Sequence, residues 1–181
     1  ILLAFLPALA LWLLLSYSHK IQSVAMRWLV SLVFVGISVV GFFFFSQKFA
    51  EELGKYSLEN VANTAAATRG WISFASGEEG SAYDLGQFEP TLSGMLSKFP
   101  QAVVVTLFRP FPWEARKVII ALSALEALAF LYFTLRVVIT KSKNLKAVFK
   151  DPNLIFFLIF SLIFAFSVGI TSYNFGALSR Y

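Results

Sequence analysis

The stretch VIIALSALEALAFLYFTLRVVI (118–139) is long and apolar enough to cross a membrane, and it indicates the fold class. About 20 apolar residues in a helix span the roughly 30 Å of hydrocarbon in a bilayer. Three more stretches share this character: ILLAFLPALALWLLLS (1–16), WLVSLVFVGISVVGFFFFS (28–46) and LIFFLIFSLIFAFSVGITSYNFGAL (154–178). None alternates as barrel strands do, so all four are predicted to be helices. The sequence therefore predicts an all-α, polytopic transmembrane helical bundle.

The composition favours the same class and excludes several kinds of site. Hydrophobic residues make up 58% of the chain and charged residues 14%, against about 45–50% and about 25% in soluble domains. The chain has no cysteine and a single histidine, His19, which excludes thiolate and multi-histidine metal sites built from this chain. No nucleotide-binding glycine motif is present, and the acids lack EF-hand spacing. We expect no metal and no cofactor.

The basic residues predict a topology rather than a nucleic-acid surface. They cluster beside the apolar stretches and form no single stripe, so we expect no nucleic-acid partner. Residues 17–27 and 140–152 are predicted to be cytoplasmic, because Lys and Arg exceed acids around both connections. The connection 47–117 has seven basic and eight acidic residues, and the alternation of spans places it outside. The sequence thus predicts a multi-pass protein of a bacterial inner membrane.

Three segments follow from this topology. Residues 1–46 hold transmembrane helices one and two, residues 47–117 form an outer (periplasmic) segment with interfacial helices, and residues 118–181 hold helices three and four. The eight residues QAVVVTLF (101–108) are too short to cross and are expected to be an interfacial or re-entrant segment buried against protein. Because the sequence begins inside an apolar run, we expect further transmembrane helices of the same or other chains, and membrane lipids, as partners.

The segment RPFPWE (109–114) is predicted to start the third span at the outer boundary. Pro112 suits the first turn of a helix, where its missing N–H costs nothing. Glu114 is then expected in that first turn, beside the positive end of the helix dipole. Trp113 fits the aromatic belt at the membrane–water boundary.

Four cations on the predicted outer side need a partner, since the charge rule disfavours them there. They are Arg109, Arg116, Lys117 and Arg180. Together with Trp113 they are the candidates for binding a substrate or a lipid phosphate, because Arg binds phosphate in a bidentate way. A structural pair, for example with Glu114, explains them equally well, and both alternatives stay open.

A second candidate group lies within the predicted spans. Glu126 is expected roughly 13 Å into the third helix, where a carboxylate is costly and marks a functional site or a packing contact. Ser123 lies one turn earlier, and Asn174 near the outer end of the fourth span is a possible partner. Glu126 and Asn174 are therefore predicted to form an intramembrane polar cluster.

The order of several motifs resembles a known group. YSLENVANTA (56–65), LFRPFPWE (107–114) and NFGALSRY (174–181) are similar to motifs of uncharacterised polytopic inner-membrane proteins of Bacteroidota. A looser likeness is to envelope-polysaccharide membrane proteins that act on lipid-linked sugars. These resemblances imply a cell-envelope protein acting on, or exporting, a lipid-linked glycan at the outer face. The alternatives are a non-catalytic structural or lipid-binding subunit and a transporter fragment that uses Glu126.

Overall fold

The computed structural model describes residues 2–18, 20–48, 54, 60–76, 81–141 and 149–178. These residues are almost entirely helical. The helices are α1 (Leu2–Ser18), α2 (Val24–Lys48), α3 (Val61–Ser76), α4 (Leu92–Ser97), α5 (Phe99–Phe108), α6 (Val118–Thr140), α7 (Pro152–Ser172) and α8 (Phe175–Leu178). The described residues form no strand, and the only bridge among them is an isolated antiparallel one between Ala82 and Asn174. The all-α class is confirmed.

Within the described ranges, three helices are long and apolar enough to cross a membrane: Val24–Phe45 within α2, Val118–Thr140, and Pro152–Ser172. Their length and composition are compatible with an integral membrane protein. The first predicted span, 1–16, forms the apolar helix α1, which has 17 residues. At 1.5 Å per residue it is about 26 Å long, short of the hydrocarbon thickness.

The fourth predicted span is shorter than expected. It was predicted to run to Leu178, but α7 ends at Ser172. Tyr173 has φ +46°, in the left-handed region that ends a helix. The side chain of Asn174 then accepts hydrogen bonds from the backbone N–H groups of Gly176 (2.7 Å) and Ala177 (3.2 Å) and starts the short helix α8.

The chain divides into two compact units, and the first comprises residues 1–58 and 144–163. In this unit α1 contacts both α2 and the first part of α7. The Phe5 ring lies edge-on to the Phe156 ring, with centroids 6.0 Å apart. Trp12 donates a hydrogen bond from Nε1 to Asn153 Oδ1 (2.8 Å). An apolar cavity of about 740 Å³ opens between these helices, and its lining has one polar side chain, that of Ser38.

The second unit comprises residues 59–143 and 164–181 and holds both candidate groups of residues. Helix α5 crosses α7 at Gly169, where no side chain separates the two backbones. Thr106 of α5 donates a hydrogen bond to the Ala165 carbonyl (2.8 Å). At its other end α5 reaches α6, and the Phe108 and Phe130 rings stack with centroids 5.7 Å apart. In the segment 101–108, Ala102, Val103 and Val105 are buried, whereas Val104 is 44% exposed. One face of the segment therefore packs against protein, and its interfacial or re-entrant position stays a prediction.

The entry to the third span differs from the prediction. Pro112–Glu114 form a separate 3₁₀ turn, and α6 begins only at Val118, after Lys117. Pro112 is the first residue of this 3₁₀ turn and does not lie in the first turn of α6. Glu114 accepts a hydrogen bond from the backbone N–H of Phe111 (2.8 Å), so the turn closes on itself before the long helix starts. The placement of Glu114 in the first turn of the span is therefore wrong.

Candidate functional site

Arg109 and Glu114 form a half-buried ion pair at the start of the segment 109–117. The guanidinium donates from Nε to Glu114 Oε2 (3.0 Å) and from Nη2 to Oε1, a bidentate arrangement. Burial raises the pKa of Glu114, but the hydrogen bonds from Arg109 and from the Phe111 N–H outweigh it, and the pKa lies below its usual value. Arg109 also lies over the Phe175 ring, at 5.4 Å from its centroid. Arg109 is thus held by partners within the chain.

Trp113 lies at the surface of the same turn. Its side chain is 79% exposed and stacks on the Phe111 ring with centroids 4.8 Å apart. An exposed tryptophan stacked on a half-buried phenylalanine before a predicted span fits an aromatic belt. The belt itself stays a prediction.

Arg109 and Glu126 line one cavity, which we name the Glu126 cavity. Its volume is about 250 Å³, and its lining includes Thr106, Arg109, Ser123, Glu126, Phe130 and Leu178. The residues come from α5, the segment after it, α6 and α8. Because Arg109 directly follows α5, which reaches α6 at Phe130, this guanidinium lies beside the middle of α6 and not at its first turn.

Lys117 and Asn174 line a second cavity, which we name the Lys117 cavity. Its volume is about 500 Å³, and its lining residues are Ile72, Ala75, Ser81, Lys117, Ser172, Asn174 and Ala177. It therefore lies where α6 begins and α7 ends.

The polar groups of the Lys117 cavity are mainly hydrogen-bond donors. Asn174 Oδ1 accepts from two backbone N–H groups and from the Ser81 hydroxyl (3.4 Å), so the NH₂ of its amide is left as a donor. Lys117 contributes an ammonium and Ser172 a hydroxyl. None of the lining residues is acidic. Such a set of groups suits an anion.

The structure groups the predicted site residues differently from the prediction, and the predicted cluster of Glu126 with Asn174 is wrong. Arg109 joins Glu126, and Lys117 joins Asn174, so Glu126 and Asn174 line different cavities. Trp113 and Arg116 are exposed and line neither of these two cavities. His19 and Arg180 lie outside the described residues. Among the described residues, no group of three His, Cys, Asp or Glu side chains could hold a metal ion.

Tyr83 and Tyr173, which the sequence analysis missed, fix the backbone beside the Lys117 cavity. Tyr83 Oη donates a hydrogen bond to the Gly169 carbonyl (2.8 Å) and accepts one from the Tyr173 N–H (3.1 Å). It thereby satisfies backbone groups at the end of α7. The Ser81 carbonyl accepts from the Phe175 N–H (2.8 Å). About 90 residues separate these partners, and no local pattern in the sequence indicates the contact.

Comparison with protein families, curated proteins and solved structures finds no match to this chain. The function is therefore inferred from the geometry of the two cavities and from the topology.

Proposed function

We propose that the chain is an integral protein of a bacterial inner membrane that binds the phosphate of a lipid-linked glycan at the outer face and acts on or exports that glycan. The observation that carries this proposal is the Lys117 cavity. It combines an ammonium, an amide NH₂ and a hydroxyl with no acidic side chain, and it lies between the ends of two apolar helices.

Charge supports the choice of Lys117 over Arg109 as the phosphate ligand. The charge of Arg109 is balanced by Glu114, whereas no described residue forms an ion pair with Lys117. An ammonium with no counter-ion at the end of a span attracts the phosphate of a lipid headgroup. In this proposal 47–117 is periplasmic, 17–27 and 140–152 are cytoplasmic, and the apolar tail of the ligand lies in the bilayer beside α6, whose Ile119 and Leu122 are exposed.

The test is the lipid that accompanies the full chain when it is purified from its own membrane in mild detergent. Mass spectrometry of the organic extract should detect a polyprenyl-phosphate-linked glycan with the unchanged protein. Lys117→Gln should lower its amount about tenfold or more, because a charge-assisted hydrogen bond is lost. Lys117→Arg should retain it.

Lys141→Gln is the matched control, since Lys141 caps the other end of α6 and is exposed. It removes the same charge and should leave the lipid unchanged. The proposal fails if no such lipid accompanies the unchanged protein, or if Lys117→Gln and Lys141→Gln retain it equally.

A second candidate function is that of a non-catalytic structural or lipid-binding subunit of a larger membrane complex. The surface of α2 favours this candidate. No residue in the most apolar part of this helix is buried within the chain. Leu32 and Ile37 are 76% and 67% exposed on this helix. If another helix covers α2, Leu32→Trp should break the complex seen by native electrophoresis; if only lipid covers it, the migration should not change.

A further inference from the structure

The helix α3 presents two aromatic side chains to its surroundings. Trp71 and Phe74 are both exposed, Phe74 over 82% of its surface, and their ring centroids lie 6.4 Å apart. Residues three apart lie on the same face of a helix, so the two rings form one exposed apolar patch, which we name the α3 patch. Aromatic rings carry a large apolar area, and its removal from water is favourable.

The opposite face of α3 packs against protein and holds the charge of the helix. Ala62 and Ala65 are buried on this face. Arg69 donates hydrogen bonds from Nε and Nη2 to the two carboxylate oxygens of Asp84 (3.0 and 3.2 Å). Arg69 is the one ionisable residue in the sequence of α3, and Asp84 balances its charge. The exposed face of α3 therefore carries no charge that would keep it in water.

The polarity of the exposed face changes along α3. From the start of the helix to its end, the exposed residues at helical spacing are Asn63, Ala67, Gly70, Trp71 and Phe74. The face is thus polar at the beginning, small in the middle and aromatic at the end. A helix that lies flat in a membrane interface has an apolar face along its whole length. The change of polarity instead indicates a tilted helix whose end is nearest the apolar phase.

The Lys117 cavity shows at which level this end of α3 lies. Ile72 and Ala75 of α3 are among its lining residues. Lys117, which directly precedes α6, and Ser172, which ends α7, line it too. Both of those helices are long and apolar enough to cross a membrane, so the end of α3 lies where they would meet the water boundary. Tryptophan is enriched at this boundary, because its ring is apolar and its N–H can donate to polar groups.

We propose that the end of α3 is a membrane anchor that inserts Trp71 and Phe74 into the headgroup region beside the ends of α6 and α7. Lipid, and not another protein, is the partner, because the exposed face becomes more apolar towards the ends of the spans, as a membrane surface requires. The inference goes beyond phosphate binding, since neither aromatic residue lines the Lys117 cavity. Such an anchor would hold that cavity at the level of the lipid phosphates.

Spin labels on introduced cysteines test the insertion, with the full chain reconstituted in vesicles of phosphatidylethanolamine and phosphatidylglycerol. Electron paramagnetic resonance measures how often each label collides with oxygen, which concentrates in hydrocarbon, and with a nickel chelate, which stays in water. Asn63→Cys is the matched control for Phe74→Cys, because both residues are exposed on the same face. The ratio of oxygen to nickel collisions should be about fivefold or more higher for Phe74→Cys, since an interfacial helix buries its apolar face by about 5–10 Å.

Two further variants keep the test independent of any one substitution. Trp71→Cys should give a ratio close to that of Phe74→Cys, and Ala67→Cys should give an intermediate one, as the tilt requires. The inference is overturned if the labels at positions 63 and 74 give equal ratios. It is also overturned if the label at position 74 is protected from both reagents, because protein then covers the α3 patch. Lys117→Gln should leave these ratios unchanged, so failure of the phosphate site and failure of the anchor are distinguishable.

Discussion

Gly169 of α7 lies directly against the carbonyl oxygen of Ala102 in α5. A Cβ atom at position 169 would come within 2.3 Å of that oxygen and within 2.7 Å of Thr106 Oγ1. The contact joins two backbones, so neither side can turn away. It sets the position of α5, and with it the position of Arg109 at the Glu126 cavity.

Gly169→Ala should therefore destabilise the protein. An added methyl group forces α5 and α7 apart, and overpacking of this kind costs about 1–3 kcal/mol. The measurement is the midpoint of thermal unfolding in detergent. Gly70→Ala is the control, because Gly70 lies within α3 and a Cβ there would meet nothing within 4 Å. That change should keep or raise the midpoint, since Ala favours a helix. Equal midpoints for the two variants would contradict the packing described.

Removal of one hydroxyl should have opposite effects at Tyr83 and Tyr173. Tyr83→Phe loses the hydrogen bonds to the Gly169 carbonyl and from the Tyr173 N–H, and should cost about 1–3 kcal/mol. The Tyr173 side chain is 1% exposed, and no described residue forms a hydrogen bond with its hydroxyl. Tyr173→Phe should therefore leave the protein as stable or make it more stable. A matched thermal-unfolding comparison checks both, and a greater loss for Tyr173→Phe would contradict the assignment.

Stability should fall in alkaline solution, partly through Tyr173. Burial raises the pKa of the Tyr173 hydroxyl to about 12, whereas the pKa of a tyrosine in the unfolded chain is about 10. The folded state thus keeps its proton where the unfolded state loses it. The contribution is fully present below about pH 10 and is lost as the pH rises through about 12. Unfolding midpoints between pH 9 and 11 should fall less steeply for Tyr173→Phe; parallel curves would show that this hydroxyl does not contribute.

The sequence predicts the helical class and the three described helices that are long and apolar enough to cross a membrane, because long apolar runs in lipid have one solution. The first of the four predicted spans forms a helix of only 17 residues. It also names Glu114 as a possible partner of Arg109, which the structure confirms. It does not predict where those spans end. The extension of α7 to Leu178 was wrong because Tyr173 adopts a left-handed conformation, and its stabilisation comes from Tyr83, far away along the chain.

Local sequence patterns also did not predict which site residues would line the same cavity. Arg109 and Lys117 are close in sequence and were taken as one outer group. The turn at Pro112–Glu114 separates them, so that they line different cavities. The segment 109–114 contains two prolines, each of which fixes φ and removes an N–H donor. Residues before and after it can therefore be close in sequence and still point to different parts of the structure.

The ion pair of Arg109 and Glu114 should be worth more than that of Arg69 and Asp84. Both pairs are bidentate, but the side chains of the first are 23% and 19% exposed, whereas Asp84 is 66% exposed. Double-mutant cycles to Gln and Asn should give a coupling energy of about 1–3 kcal/mol for the first and about 0.2–1 kcal/mol for the second. A larger coupling for the exposed pair would contradict the burial of the first.

The predicted orientation can be checked by cysteine accessibility, because the chain has no cysteine of its own. Gln87 and Lys150 are both exposed and lie on opposite sides of the membrane if α6 is a span with 47–117 outside. An impermeant maleimide applied to intact spheroplasts should label Gln87→Cys, and should label Lys150→Cys only after the membrane is opened. The reverse pattern would invert the topology and move the Lys117 cavity to the cytoplasmic face. Labelling of both before opening would show that α6 does not cross, in which case the outer phosphate site could not stand.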